Sequence, residues 1–415
     1  MKVCMKNLII AFLAMSVVLL LAASFSSNKQ NIPLIADSLH GGAVSTSDLT
    51  NAASARSSLI YEPFELDAAD RKQLNYIAKK HKAVGVSVAV IQDGIVTNHY
   101  EYGWADKEKG VKMTSDHKLR VASISKPVIT MAYMTLCDSD AVTPDTTMGE
   151  LFGKDKKYAD LTMRSMMSHA SGISDANSVG SRIICDTLSE ELELKNIFVS
   201  KPYASWRYSN LGVDTVGAAV EKASGQLFQD YTAKKFFTPM NIDASWDGSY
   251  IKSSDLIATT YSAQHVRSLS KESLSKPLDR QEAGENYDYM AGGLIISSVD
   301  LARVYSILIN DGNYMGDSYL SEESVDAIHT VQDINTGKNF SLCLGVRYAE
   351  NFCNGHDMYF HPGNAYGVLS LVAYDPSDGS GVVIITTGAE RVRDKYLNFT
   401  VCSDMLKYIY KNIID

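Results

Sequence analysis

Ser123 and Lys126 stand three residues apart in the stretch "RVASISKP", Arg120 to Pro127. On a helix such a pair shares one face, which would put an amine beside a hydroxyl. A serine hydroxyl is a poor nucleophile until a base takes its proton. A free lysine titrates near 10.4, so a lysine beside a serine is a base only after burial or a second cation acts on it. A phenolate held by the ammonium could share the task. The same Ser-x-x-Lys pattern starts at Ser26, Ser115, Ser249, Ser268 and Ser273. Only Ser123 opens an apolar helical stretch, "SISKPVITMAYMTLC", with Pro127 near its start, where a missing N–H costs little. The competing reading is a capping serine and a solvated lysine. If the pair is catalytic, the free N–H groups and positive dipole end of that helix would face a developing oxyanion.

A phenol is available in "WRYSNLG", where Tyr208 and Asn210 form Tyr-x-Asn just before a helix start. The pattern also occurs at Tyr396 and Tyr410, both inside an expected final helix over Arg391 to Ile414. A core aromatic next to a capping Asn is the competing reading of Tyr208. Further on, "YFHPGNAYG" carries His361 and Gly363 and leads into a strand. A glycine there would permit close backbone approach. His-x-Gly recurs at His40, in a polar spacer.

The elements that must position these residues follow from periodicity. Asp67 to His81 has helical spacing, with Leu74, Ile77 and Ala78 on one face. Val84, Val86, Val88 and Val90 alternate with small residues up to Asp93-Gly94, which predicts a hairpin. "YGVLSLVAY" and "GVVIITT", separated by "DPSDGSG", repeat the strand signal near the other end. Between them lie helical segments with start and stop residues: Thr162 before "MRSMMSH", Gly225 after "NLGVDTVGAAVEKAS", Ser298 before "VDLARVYSILIN". Ile251 to Tyr289 is polar and reads as loops. These signals predict an α+β fold. An antiparallel sheet drawn from both chain ends is flanked by terminal helices, and a helical lobe is inserted between the strands. A cleft between sheet and lobe would hold the site.

Composition bounds the rest. The 415 residues carry a net charge of −9 and no basic run, which argues against nucleic-acid binding. The start "MKVCMKN" followed by the uncharged Leu8 to Phe25 reads as an export signal or membrane anchor over residues 1–27, with a flexible linker over 28–59 and one domain over 60–415. The protein is therefore expected to be secreted or held at the membrane by that segment, with its domain outside the cytoplasm. Beyond Cys4 the cysteines are Cys137, Cys185, Cys343, Cys353 and Cys402, without Cys-x-x-Cys, and no His-Glu-x-x-His occurs. No metal or cofactor is expected, most of these cysteines read as buried thiols with room for one disulfide outside the cytoplasm, and no protein partner is inferable.

Taken in order, the three motifs resemble those of the serine hydrolase family of class C β-lactamases, related penicillin-binding proteins and esterases. "VSVAVIQDGIVTNHYEYGWADKEKGVKMTSDHKLRVASISK", "LTMRSMMSHASGISD", "YSNLGVDTVGAAVEKASGQLFQDY" and "MAGGLIISSVDLARVYSIL" resemble its segments too, and the likeness runs from about Ile60 to Ile413. It implies the β-lactamase/transpeptidase-like fold and an acyl-enzyme formed on Ser123. Lys126 and Tyr208 would manage the proton, with Tyr208 preferred as base. Asn210 would orient Lys126 and the substrate amide, and the amides of Ser123 and Asn364 would bind the oxyanion. The family's β-lactamases and peptidases usually carry Lys-Thr-Gly or Lys-Ser-Gly where this chain has His361, Pro362 and Gly363. His361 would then be a cation that titrates near neutrality. Activity on carboxylate-bearing substrates should rise on its protonation or on His361→Lys. The expected function is an extracytoplasmic serine hydrolase of an amide or ester, a cell-wall peptide or small ester. The alternatives are a class C-type β-lactamase and a non-catalytic sensor that keeps the fold.

Overall fold

The computed structural model describes residues 62–153, 158–173, 175, 188, 200–279, 282–286 and 289–415. The apolar run Leu8 to Phe25, the spacer after it and Cys185 lie outside the described residues. No described helix is long and apolar enough to cross a membrane. The other cysteines of the domain, Cys137, Cys343, Cys353 and Cys402, are free thiols.

Asp67 accepts hydrogen bonds from the amides of Ala69 and Asp70 and so caps helix α1, Ala68–Lys80. Leu74 and Ala78, one turn apart, are its buried residues. Strands β1 (Gly85–Gln92) and β2 (Ile95–Asp106) form the hairpin expected from the sequence. Asp93 and Gly94 between them take φ of 52° and 71°, the left-handed pair such a tight turn needs. Then come helices α2 (Lys126–Cys137), α3 (Asn210–Ser224) and α4 (Ser298–Ile309). Strands β3 (Arg347–Cys353), β4 (His356–Ala365), β5 (Val368–Asp375) and β6 (Ser380–Thr387) follow, and helix α5, Thr400–Ile409, ends the series.

The main sheet runs in the order β2-β1-β6-β5-β4-β3. Short strands Phe64–Glu65 and Ser341–Leu342 extend its two edges. All of these pairs are antiparallel except Phe64–Glu65 against β2. The pairing of β6 with β1, Val382 opposite Val90 and Ile384 opposite Val88, joins the two ends of the chain. Strand periodicity then sorts side chains between two cores. Val86, Val88, Val90, Leu369 and Leu371 pack with Leu74, Met405 and Leu406 of the terminal helices. Ala89, Ile91, Val372 and Tyr374 face the opposite way, toward Leu301 of α4 and Val128 of α2. This is the β-lactamase/transpeptidase-like α+β architecture, with α2 and α3 in the inserted lobe.

Four local expectations change. Helix α2 starts at Lys126, and Ser123 lies on a separate 3-10 turn, Ala122–Ser125. The cap of α4 is Ser297, which accepts from the Asp300 amide, so Ser298 is already helical. His361 to Ala365 are inside β4 and do not merely precede a strand. The final helix begins at Thr400, because the Asp394 carboxylate captures the amides of Tyr396 and Asn398 at 2.9 Å each and bends Arg391 to Phe399 into a loop.

His356 ties the end of the chain to the sheet. Its Nδ1 lies 3.0 Å from Asp375 and 3.1 Å from Asp378, and its Nε2 lies 3.0 Å from Asp415. Burial alone would lower its pKa, but hydrogen bonds to Asp415 and Asp375 and the charge of Asp378 hold it above the ordinary value. A folded-state pKa above the unfolded one stabilises fully at pH below the unfolded value and fades as pH rises through the folded value. The melting temperature of His356→Gln should therefore fall below wild type at about pH 5.5, with the gap closing toward about pH 9. Calorimetry across that range checks it, and a constant gap would contradict it.

Candidate active site

The turn that carries Ser123 is held from every side. Ala122 takes φ of 57°, unusual for a residue with a side chain. Ser125 Oγ donates to the Ala122 carbonyl at 2.7 Å, Tyr305 Oη to Ile124 O at 2.7 Å, and Ser370 Oγ to Val121 O at 2.8 Å. One turn along, Lys126 is completely buried. Its Nζ donates to Ser123 Oγ at 3.1 Å, Asn210 Oδ1 at 2.8 Å and Ala291 O at 2.5 Å. Three donors meet three neutral acceptors. Tyr208 Oη is hydrogen-bonded to Ser123 Oγ at 2.8 Å, and Lys126 Nζ sits 5.0 Å from the centre of the Tyr208 ring. The hydroxyl is thus within proton-transfer reach of a phenol and an amine.

Two carboxylates that the motifs did not reveal position these groups. Asp175 accepts from Ser209 Oγ at 2.8 Å, from the Asn210 amide at 2.7 Å and from the Leu211 amide at 3.2 Å, so it anchors the start of α3 beside Tyr208. Asp214, one turn after Asn210, accepts from the Ala291 amide at 2.8 Å. The carbonyl of that same residue receives Lys126. Asp175 stands in the quoted "SHASGISD" stretch, but its partner lies 34 residues away and no spacing announces it.

Strand β4 forms the other wall. Its pairing with β3 ends at Phe360 opposite Arg347, so from His361 onward that edge of β4 is open. Gly363, Asn364 and Ser123 line one cleft of about 520 Å³ with Tyr208 and Asn210. A Cβ on Gly363 would come within 2.1 Å of Ser370 Oγ and 3.1 Å of the Ser123 amide nitrogen, which is why glycine is needed there.

His361 does not fill the role expected of it. It is 2% exposed, does not line the cleft, and its Nδ1 lies 2.8 Å from Pro362 O. Burial, with the charges of Arg347 and Lys126, pushes its pKa well below the ordinary histidine value, so it is neutral near pH 7. The cations of the cleft are instead Arg120, Arg347 and Arg393, and its only lining carboxylate among the described residues is Asp214. Arg347 is 5% exposed, and burial lowers its pKa to about 10 without discharging it. Its guanidinium lies 4.5 Å from the Phe340 ring centre and 5.7 Å from that of Trp206. No described carboxylate pairs with it, and it donates to the Tyr396 carbonyl at 3.5 Å. Arg393 stands at the exposed rim, over the Phe399 ring. Outside the cleft, His356, Asp375 and Asp378 offer possible metal-ligand atoms within 4.8 Å of one another, but they already bond each other.

A β-lactamase/transpeptidase-like fold thus holds the Ser123 hydroxyl against an amine and a phenol at one cleft, an arrangement suited to nucleophilic catalysis. The family model described as Beta-lactamase matches residues 67–401, and the chain belongs to that family. Among curated relatives, penicillin-binding protein 4* of Bacillus subtilis is 23% identical over 65% of this chain and 60% of its own length. Esterase EstB of Burkholderia gladioli is 26% identical over 39% of this chain and 48% of its own. The chain spans about 60% or less of the length of these relatives. Among solved structures, the D-amino acid amidase of Ochrobactrum anthropi SV3 is 21% identical with a TM-score of 0.64, covering 83% of this chain and 98% of that one. A β-lactamase/D-alanine carboxypeptidase of Pseudomonas syringae is 15% identical with a TM-score of 0.66, covering 84% and 100%. At these identities the structural likeness is one of fold.

Gly363→Ala should lower kcat on the order of a hundredfold, by pushing β4 away from the nucleophile. Adding Ser370→Ala removes the oxygen at 2.1 Å and should restore part of that loss. Equal kcat in the single and double variants, both folded by circular dichroism, would contradict the clash.

Proposed function

We propose that this serine hydrolase cleaves an amide or ester in a small molecule or peptide that bears a carboxylate, through an acyl-enzyme on Ser123. The observation that carries the reading is Arg347, a buried cation without a carboxylate partner among the described residues, lining the same cleft as the nucleophile. Holding a desolvated guanidinium with only a carbonyl and two aromatic rings is unfavourable unless an anion completes it. Arg393 at the rim adds to the positive potential.

The chemistry follows from the contacts. Ser123 Oγ attacks the carbonyl carbon as its proton passes to Tyr208 Oη, 2.8 Å away, which acts in its phenolate form. Lys126 stays between Ser123, Asn210 and Ala291 and balances charge on the phenol oxygen. The amides of Ser123 and Asn364 take the carbonyl oxygen as it becomes an oxyanion. When the C–N or C–O bond breaks, the leaving group receives the proton from Tyr208. Water then attacks the acyl-serine and returns the site to its starting state. The names of the relatives, a penicillin-binding protein, an esterase and an amidase, support acyl transfer and leave the acyl donor open. The uncharged run after Lys2 and Lys6 supports action outside the cytoplasm. A reporter enzyme that is active only after export, fused after Ile60, tests that placement, and cytoplasmic retention of the fusion would refute it.

Incubation with a fluorophosphonate and a fluorescent penicillin, followed by mass spectrometry, reads the nucleophile. An adduct on Ser123 with the fluorophosphonate alone favours a peptidase, amidase or esterase. A stable penicillin adduct favours a penicillin-binding activity, and rapid penicillin turnover a β-lactamase. No adduct on folded protein rejects catalysis by Ser123. Arg347→Met should lower kcat/KM for a carboxylate-bearing substrate on the order of ten- to a hundredfold more than for its neutral methyl ester. Equal losses on both would refute the anchor.

A further inference from the structure

A second cavity, of about 260 Å³, lies between the end of β3, the loop Asp394 to Asn398 and α5. It equals the liquid volume of roughly nine waters. Phe352, Tyr396 and Leu406 give it an apolar lining, while Lys395 and Lys407 stand at it as exposed cations. Neither lysine has a carboxylate partner among the described residues. The acid of the cavity, Asp394, is already engaged: it accepts from the amides of Tyr396 and Asn398 and from Ser403 Oγ. Asn398 is 1% exposed, lines the cavity, and its side-chain oxygen has no hydrogen-bond partner. Buried amide oxygens are nearly always paired, so this one lacks a donor that the protein does not supply.

The loop that forms this wall has two faces. Arg393, Leu397 and Phe399 line the active-site cleft, and Asp394, Lys395, Tyr396 and Asn398 line the second cavity. Leu397, flanked in sequence by the cavity residues Tyr396 and Asn398, takes φ of 67°, a conformation rare for a bulky side chain. The Tyr396 carbonyl is the acceptor for Arg347. Whatever fixes the cavity side of this loop therefore also fixes the cationic side of the cleft.

We propose that this cavity is a second ligand site for a small carboxylate with an apolar body and an N–H donor, an N-acylated amino acid by class. Its carboxylate would meet Lys395 and Lys407, its side chain the Phe352, Tyr396 and Leu406 surface, and its N–H the oxygen of Asn398. Its occupancy steadies the loop and lowers KM for anionic substrates of the cleft. The binding claim stands apart from the proposed function, whereas the effect on KM rests on Arg347 and Arg393 anchoring the substrate.

The test uses N-acetyl-leucine as the probe and the whole protein after Ser123 has been blocked with a fluorophosphonate. Calorimetry should show one probe bound per chain, with affinity lowered at least tenfold in Lys395→Glu/Lys407→Glu. Asn398→Leu, close in shape but with no acceptor, should weaken the probe as well. With unblocked enzyme the probe should lower KM for a carboxylate-bearing substrate two- to tenfold, and leave it unchanged in the double lysine variant. Binding that disappears when Ser123 is blocked places the probe in the cleft and overturns the second site. So does equal affinity in the double lysine variant, or no heat at about 10 mM probe, a concentration that reports even millimolar affinity. An unchanged KM at saturating probe overturns the coupling alone. If Ser123 takes no label, the proposed function fails, while calorimetry on unlabelled protein against the same variants still reads the cavity.

Discussion

The buried ammonium of Lys126 is the constraint around which the site is built. A charge taken out of water must be matched by hydrogen bonds or by an opposite charge. Here no described carboxylate touches it, and its three N–H groups end on a serine hydroxyl, an asparagine amide and a backbone carbonyl. Those acceptors come from three parts of the chain: the turn before α2, the start of α3 and the residue before Gly292. Each must be in place for the lysine to be buried at all. The two positioning acids act on this set, Asp175 on the α3 start and Asp214 on the Ala291 peptide. Lys126 thus ties three segments of the inserted stretch together, because its solvation has been replaced by one group from each.

The same economy of charge explains the cleft. The chain is acidic as a whole, at −9, yet among the described residues the cleft gathers three arginines against a single lining carboxylate. Aromatic faces support all three: Tyr366 for Arg120, Phe340 and Trp206 for Arg347, Phe399 for Arg393. A guanidinium keeps its charge on such a bed where an imidazole would lose it. His361 illustrates the second half of that statement. Buried beside Arg347 and Lys126, it is neutral and serves the strand rather than the substrate. The third motif carries no cation into the cleft, whereas β3 and the loop before α5 bring Arg347 and Arg393 to it.

Much of the fold was legible because its signals are local. Alternating valines and Asp93-Gly94 specify the first hairpin, and Asp67, Thr162 and Gly225 mark helix ends through bonds or dihedrals within a few residues. Of the candidate site residues, Ser123, Lys126, Tyr208 and Asn210 meet within hydrogen-bond distance. Gly363 and Asn364 share their cleft, and His361 does not. The helical reading of Arg391 to Phe399 failed because the Asp394 side chain competes for the loop's own amides. Asp175, Asp214 and Arg347 carried no local signature, since each acts on a residue far along the chain, and Arg393 none because only the fold brings its loop to the cleft.

The sequence by itself determined the Ser-x-x-Lys and Tyr-x-Asn pairs and the strand-and-helix order that carries them, because a spacing of a few residues on a turn and a period of two on a strand are properties of neighbouring residues. Which side chains solvate the lysine, which histidine stays neutral and which arginines face the nucleophile were decided only by the tertiary structure. Burial and long-range pairing set those outcomes: β3 leaves β4 at Phe360 and places Arg347 beside the open edge that follows. A dielectric environment belongs to the packed molecule, and no stretch of sequence contains it.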